Sequence, residues 1–204
     1  MSIEIEIKLS FSPSALPEIL CHPLIAGAPR ETPPEVLDNT YFDTPEWTLR
    51  ARGVGLRLRQ QTGGTVQTVK CSAHQALGGL TRRPEWETPW RGQFDFSAVT
   101  DPDVAALLEQ TRGKLAPVFA TRFLRDTRRI QPHPGLSVLA MIDTGIIEAG
   151  KNIVKIHELE LELVNGIEES LIRLAEELQK KLPLTPENVS KAQRGYQLAT
   201  ASAC

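Results

Sequence analysis

The segment Ile3-Glu4-Ile5-Glu6-Ile7-Lys8-Leu9 alternates without a break. In an extended strand successive side chains point to opposite faces, so this one has a wholly aliphatic face and a wholly ionic face. Like charges two residues apart sit ~6.7 Å from each other along a strand and repel unless a cation lies between them. The aliphatic face has to be buried. The same division recurs in Leu56-Arg57-Leu58-Arg59 and in Glu158-Leu159-Glu160-Leu161-Glu162-Leu163. By the same parity, Lys70 shares a face with Thr68 and Val66, and Glu85 shares one with Glu87. Arg125 and Arg129 share a face with Thr121 and Phe123, whereas Arg122 lies on the opposite face; Asp143 falls on the face of Met141.

Taken singly, each segment reads as a solvated sheet face or a charged edge strand. Together they do not, because one sign dominates each strand and the sign changes between strands. A closed barrel wrapped by helices resolves the pattern. Aliphatic faces point outward under the helices and charged faces line the lumen, the inverse of an ordinary small barrel. The expected fold is therefore α+β, an eight-stranded antiparallel closed β-barrel with flanking helices, as one domain over residues 1–204. Strands are expected at 3–9, 36–43, 81–90, 118–130 and 154–164. Residues 54–59 and 65–70 read as a hairpin across Gly63-Gly64. Residues 137–149 read as one strand or as a hairpin around Thr144-Gly145. Residues 13–28 are weakly helical, and Asp101-Pro102 opens a short helix. Ile167, Leu171, Leu174, Ala175, Leu178 and Leu182 fit one helix face ended by Pro183, and 187–199 form a last helix. There is no βαβ rhythm to suggest a parallel sheet.

Composition narrows the function. The chain has 204 residues and a formal net charge of -2. A general nucleic-acid binder carries a basic excess, so any anion site is local and no nucleic-acid partner is expected. No apolar stretch approaches the ~20 residues that span a bilayer, so no membrane partner is expected. Cys21, Cys71 and Cys204 have no paired spacing, which fits a reduced, cytoplasmic protein. His22, His74, His133 and His157 are scattered, and Trp47, Trp86 and Trp90 read as packing residues. A lumen bearing both signs suits a compact polyanion held with a metal. Arginine forks grip phosphate oxygens, lysines add point charges, and clustered carboxylates suit Mg²⁺ or Mn²⁺.

An ordered set of motifs completes the reading. Glu4-x-Glu6-x-Lys8 is followed by Tyr41-Phe-Asp-Thr-Pro, Gly55-Leu-Arg57-Leu-Arg59, Val69-Lys70 and Gly79-Leu-Thr-Arg-Arg-Pro-Glu85. Then come Thr121-x-Phe-x-Arg125, Ile142-Asp143, Glu158-Leu-Glu160-Leu-Glu162 and Ser190-Lys191-Ala-x-Arg194-Gly-Tyr196. The set resembles the CYTH superfamily, the triphosphate tunnel metalloenzymes, and looks most like its bacterial inorganic triphosphatases. That resemblance implies a triphosphate held by Lys8, Arg57, Arg59, Lys70, Arg125, Lys191 and Arg194. It implies Mg²⁺ or Mn²⁺ held by Glu4, Glu6, Glu85, Asp143, Glu158 and Glu160, with Glu4, Glu6, Lys8 and Glu160 in the catalytic set. Glu87 and Glu162 lie on the same faces.

The implied activity is hydrolysis of inorganic triphosphate to diphosphate and phosphate. The alternatives are a nucleoside or thiamine triphosphatase, a class IV-type adenylyl cyclase, or a non-catalytic triphosphate or polyphosphate sensor. Tyr41 is placed near the lumen mouth, where it could serve a base or ribose. The family's bacterial inorganic triphosphatases often carry a second, helical domain; this sequence ends soon after Tyr196, so a stand-alone module is expected, as monomer or homodimer.

Overall fold

The structure, a computed structural model, describes residues 2–71 and 77–202; His74 and Cys204 lie outside them. Strands β1 (Ser2–Phe11), β2 (Glu35–Asp43), β3 (Val54–Gln61), β4 (Gly64–Cys71) and β5 (Leu80–Pro89) come first, followed by β6 (Ala116–Ile130), β7 (Ser137–Ala149) and β8 (Asn152–Asn165). They pair antiparallel in the order β5-β4-β3-β2-β6-β7-β8-β1, and β1 pairs back with β5 to close an eight-stranded barrel. A short β9 (Leu184–Pro186) adds to the far end of β1, beyond its pairing with β5.

The aliphatic faces do point outward. Ile7, Leu9, Ala140, Ile142, Leu159 and Leu161 pack beneath α1 (Leu16–Cys21), α2 (Pro23–Ala26) and α5 (Glu168–Lys181). Leu171, Leu174, Ala175 and Leu178 supply the buried stripe of α5. Ile167 does not extend that face; it stands at the helix N-cap and is exposed. On the other flank, Leu56, Val69 and Trp86 lie under α3 (Thr48–Ala51) and α4 (Pro102–Thr111), whose N-cap Asp101 accepts from two backbone N–H groups. Among the described residues no helix is long and apolar enough to cross a membrane.

One pair of alternatives is decided here and one expectation is corrected. Residues 137–149 form one continuous strand, with no hairpin at Thr144-Gly145. Gly145 serves a close approach: a Cβ there would strike the backbone of Arg122 and Phe123 on β6. The lumen is also not ionic throughout. The inward residues Leu37, Phe119, Phe123, Ile147 and Ile156 form an apolar cluster with Tyr41 and Tyr196. The last helix, α6 (Lys191–Ser202), covers that cluster.

Candidate active site: an ionic tunnel

The barrel register sets charges side by side around the lumen. Glu4 lies opposite Arg83, Lys8 opposite Glu160, and Lys70 opposite Glu85. Arg125 lies opposite Asp143, which lies opposite Glu158. Most of the side chains named from the sequence line this space, whose cavity volume is about 1280 Å³; Asp143 and Glu158 pair with lining residues, and Arg194 stands one step behind, on Glu158. Arg122 points outward, as its parity requires, and meets Asp38 at 3.5 Å on the exposed surface.

One wall, made by β6, β7, β8 and α6, is dense with pairs. Arg125 donates to both oxygens of Asp143, at 2.8 and 2.6 Å, and to Glu160 at 2.6 Å. Lys191 Nζ lies 2.9 Å from Asp143 Oδ2 and 2.9 Å from Glu160 Oε1, and it also donates to Glu158. Arg194 donates to the other Glu158 oxygen. Burial alone would raise the Glu160 carboxyl, but Lys191, Arg125 and Lys8 overcome it and hold the group well below the usual range. Arg125 is raised against its own burial by Asp143 and Glu160. Asp143, Glu158 and Glu160 each offer an oxygen within 4.8 Å of the other two. Three hard oxygen donors so grouped fit a small divalent cation.

A second group gathers on β1, β4 and β5. Lys70 donates to both Glu4 oxygens at 2.9 and 3.0 Å and lies 2.9 Å from Glu85. Lys8 donates to Glu6, and Thr81 also reaches Glu6 at 3.2 Å. The Glu4 carboxyl is opposed by burial yet lowered by Lys70 and Arg83. Glu162 finds relief from Lys70 alone, which is outweighed. It stands opposite Glu6 in the register; burial, then Glu4 and Glu6, push its carboxyl up to about 7.

Arg83 had no role from the sequence, yet it joins this group, donating to Glu4 at 2.8 Å and to Glu6. Parity contained the signal, since Arg83, Glu85 and Glu87 share a face of one strand. Glu87 itself accepts from Thr68 at 3.1 Å.

The third wall, β3, differs. Among the described residues no carboxylate lies within 4.0 Å of Arg59; its Nε donates to Asn39 Oδ1 at 2.9 Å. Burial first, then Arg57 and Arg125, bring its guanidinium down to about 9. The nearest carboxylate to Arg57 among the described residues is Glu85 at 3.9 Å, and the buried Arg57 Nε finds no partner among them. Tyr41 is not at an open mouth. Its ring is buried and stacked on Phe119, 4.4 Å between centroids, and its hydroxyl bonds Arg57.

Comparison with known proteins agrees with this geometry. The profile of the CYTH domain family matches residues 2–196. An inorganic triphosphatase from Haemophilus influenzae is 32% identical over 203 residues, which cover 97% of this chain and 55% of that protein. The chain thus spans about half the length of that curated relative. Among solved structures, a Hippeastrum protein described as an adenylyl cyclase candidate with a dominant triphosphatase activity superposes with a TM-score of 0.67. It is 21% identical, and the match covers 95% of both chains. A Bacillus halodurans protein described as an adenylate cyclase candidate gives a TM-score of 0.58 at 18% identity, covering 89% of this chain and 91% of that one. At these identities the two structures speak to the fold.

Proposed function

The chain belongs to the CYTH domain family, and we propose that it hydrolyses inorganic triphosphate to diphosphate and phosphate. The observation that carries this reading is the imbalance among the tunnel walls. Glu4, Glu6, Asp143, Glu158 and Glu160 each hold cations, whereas Arg57 and Arg59 face the lumen with almost no carboxylate. A buried guanidinium pair with so little close negative charge gains from an anion that it can receive, and its forks match phosphate oxygens.

Asp143, Glu158 and Glu160 would hold Mg²⁺ or Mn²⁺, and Glu4, Glu6 and Glu85 supply a further donor set. When bound, such an ion supplies Lewis-acid neutralisation of phosphate charge. The chain's own residues do the rest. Arg57 and Arg59 fix one end of the anion. Lys8, Lys70, Arg83, Arg125 and Lys191 exchange carboxylate partners for phosphate oxygens, so catalysis comes from positioning and charge stabilisation. Arg194, still bonded to Glu158, would reach the same anion from α6. Glu160 and Glu4 are held ionised, the form that binds a metal; the proton of the attacking water would go to a carboxylate of the Glu4, Glu6, Glu158 and Glu160 set.

Inorganic triphosphate ranks above nucleotides because Tyr41, the aromatic expected to serve a base, is committed to its stack with Phe119. Cys21 and Cys71 are free thiols, which supports a reducing compartment such as the cytoplasm. The test is a phosphate-release screen over inorganic triphosphate, nucleoside triphosphates and thiamine triphosphate with Mg²⁺ or Mn²⁺. Fastest metal-dependent release from inorganic triphosphate is expected. Diphosphate with cyclic AMP would indicate a cyclase, and tight binding without release would indicate a sensor.

A further inference from the structure

Tyr41-Phe-Asp43-Thr-Pro and Lys191-Ala-x-Arg194-Gly-Tyr196 each contain a group with no part in holding phosphate, a carboxylate and a phenol. The fold joins them: Tyr196 Oη donates to Asp43 Oδ2 at 2.9 Å. Asp43 is fully buried. Its carboxylate also accepts from the backbone N–H groups of Thr44, Leu49 and Arg50 at 2.7, 2.8 and 2.9 Å. Those bonds fix it to the first turn of α3, so the phenol is tied to a rigid point. Phe119 meets the Tyr196 ring edge-on at 5.1 Å, and the Arg50 guanidinium covers it at 5.3 Å. One residue earlier, Gly195 lies flat against Phe119, where any Cβ would collide with the ring. Neighbouring helix positions differ by about 100° around the axis, so the two contacts hold the rotation of α6 as well as its place.

Lys191 lies four residues before Gly195 and therefore on the same helix face. Its ammonium sits among Asp143, Glu158 and Glu160, the three acids whose oxygens cluster. An ammonium and a divalent ion cannot share that point, because their charges would stand about 3 Å apart.

We propose that the Tyr196–Asp43 joint is a positioning device that holds Lys191 inside the acidic triad, where its ammonium competes with a divalent cation until an anion draws it away. The inference rests on the metal-dependent reading above. A loosened joint lets Lys191 withdraw, so the triad takes a divalent ion more readily while the anion loses a well-placed cation.

The test is Mn²⁺ binding to the whole chain by calorimetry, without phosphate, in wild type, Y196F, K191A and the double variant. Y196F removes one hydroxyl and leaves Asp43 its three backbone donors, so it is expected to fold; circular dichroism checks this. Y196F is expected to bind Mn²⁺ about three- to tenfold more tightly than wild type, with K191A at least as tight and the double variant no tighter than K191A. Equal binding by Y196F and wild type, or a Y196F effect that adds fully to K191A, would overturn the proposal, since a merely structural bond has no reason to act through Lys191. If Y196F will not fold, K191A alone still decides: it is expected to bind Mn²⁺ at least threefold more tightly than wild type, and equal or weaker binding would sink the idea. Wild type that binds Mn²⁺ in this coupled way but releases no phosphate leaves the joint standing and overturns the hydrolase reading instead.

Discussion

The wall built by β6, β7, β8 and α6 and the wall built by β3 face the same lumen but solve the burial of charge in opposite ways. On the first, Arg125 and Lys191 bind Asp143 and Glu160 through close contacts and Arg194 binds Glu158, so every cation there has a carboxylate partner, although the Arg194 Nε has none among the described residues. On the second, Arg59 leans on an asparagine and the nearest carboxylate to Arg57 among the described residues is Glu85 at 3.9 Å. A structural salt-bridge network would resemble the first wall everywhere. Burying two guanidinium groups with no close carboxylate costs stability, and a ligand that brings negative charge would offset that cost. The same asymmetry implies linkage. An anion alone strands carboxylates and a cation alone strands ammonium groups, so each should tighten the other's binding.

The largest effect should come from removing one charge of the satisfied wall without changing its shape. E160Q keeps a side chain between Arg125 and Lys191 but loses the carboxylate that would bind the metal or take the proton. Turnover of triphosphate should fall by more than about a thousandfold, measured by phosphate release, while calorimetry still detects triphosphate binding. Loss of both together would mean that Glu160 holds the tunnel open and does no chemistry.

Matched substitutions then separate the walls directly. R125M leaves Asp143 and Glu160 to share Lys191 alone, and should destabilise the ligand-free protein by about 3 kcal/mol. R59M removes a cation that has no carboxylate to strand, so the ligand-free protein should become more stable, by on the order of 1 kcal/mol. Triphosphate affinity should nevertheless drop about a hundredfold in R59M. Chemical denaturation with and without triphosphate reads both. If R59M destabilises as R125M does, the contrast between the walls is false.

Much of this was legible in the sequence because β periodicity is local. Glu4, Glu6, Lys8, Arg57, Arg59 and Glu160 had to share faces wherever the strands lay. Arg83 followed from the same parity, but its neighbour Arg82 obscures it. Only one of two adjacent arginines can face the lumen, and Arg82 is the one that turns out, to Glu168 at 3.3 Å. What stayed hidden depends on contacts distant in the chain. Nothing near Ile147 or Ile156 says that α6 will cover them, so the inner faces of β7 and β8 change from ionic to apolar without a local sign. Tyr41 does line the cavity, but its burial stayed hidden for the same reason, since Phe119 reaches it only through strand pairing. Gly145 looked like a turn because the crowding that requires it comes from β6.

The smallest effect tests whether acidic crowding on the β1–β8 side is real. Glu162 is ionised in the unfolded chain above its ordinary pKa, but in the folded protein its carboxyl is pushed up to about 7. A raised carboxyl contributes nothing adverse below the ordinary value, where it is neutral in both states, and costs stability increasingly as pH rises through the folded one. E162Q should therefore match wild type near pH 4 and exceed it at pH 8 by on the order of 1 kcal/mol in metal-free protein. Melting temperatures of the two proteins across that range give the difference directly, cancelling His22 and His157, whose lowered values act in the opposite sense. Saturating Mg²⁺ should shrink the gap, because a cation near Glu4 and Glu6 relieves the repulsion that raises Glu162. A gap independent of pH would mean that the glutamine gains come from packing, and that the crowding is already compensated in the chain itself.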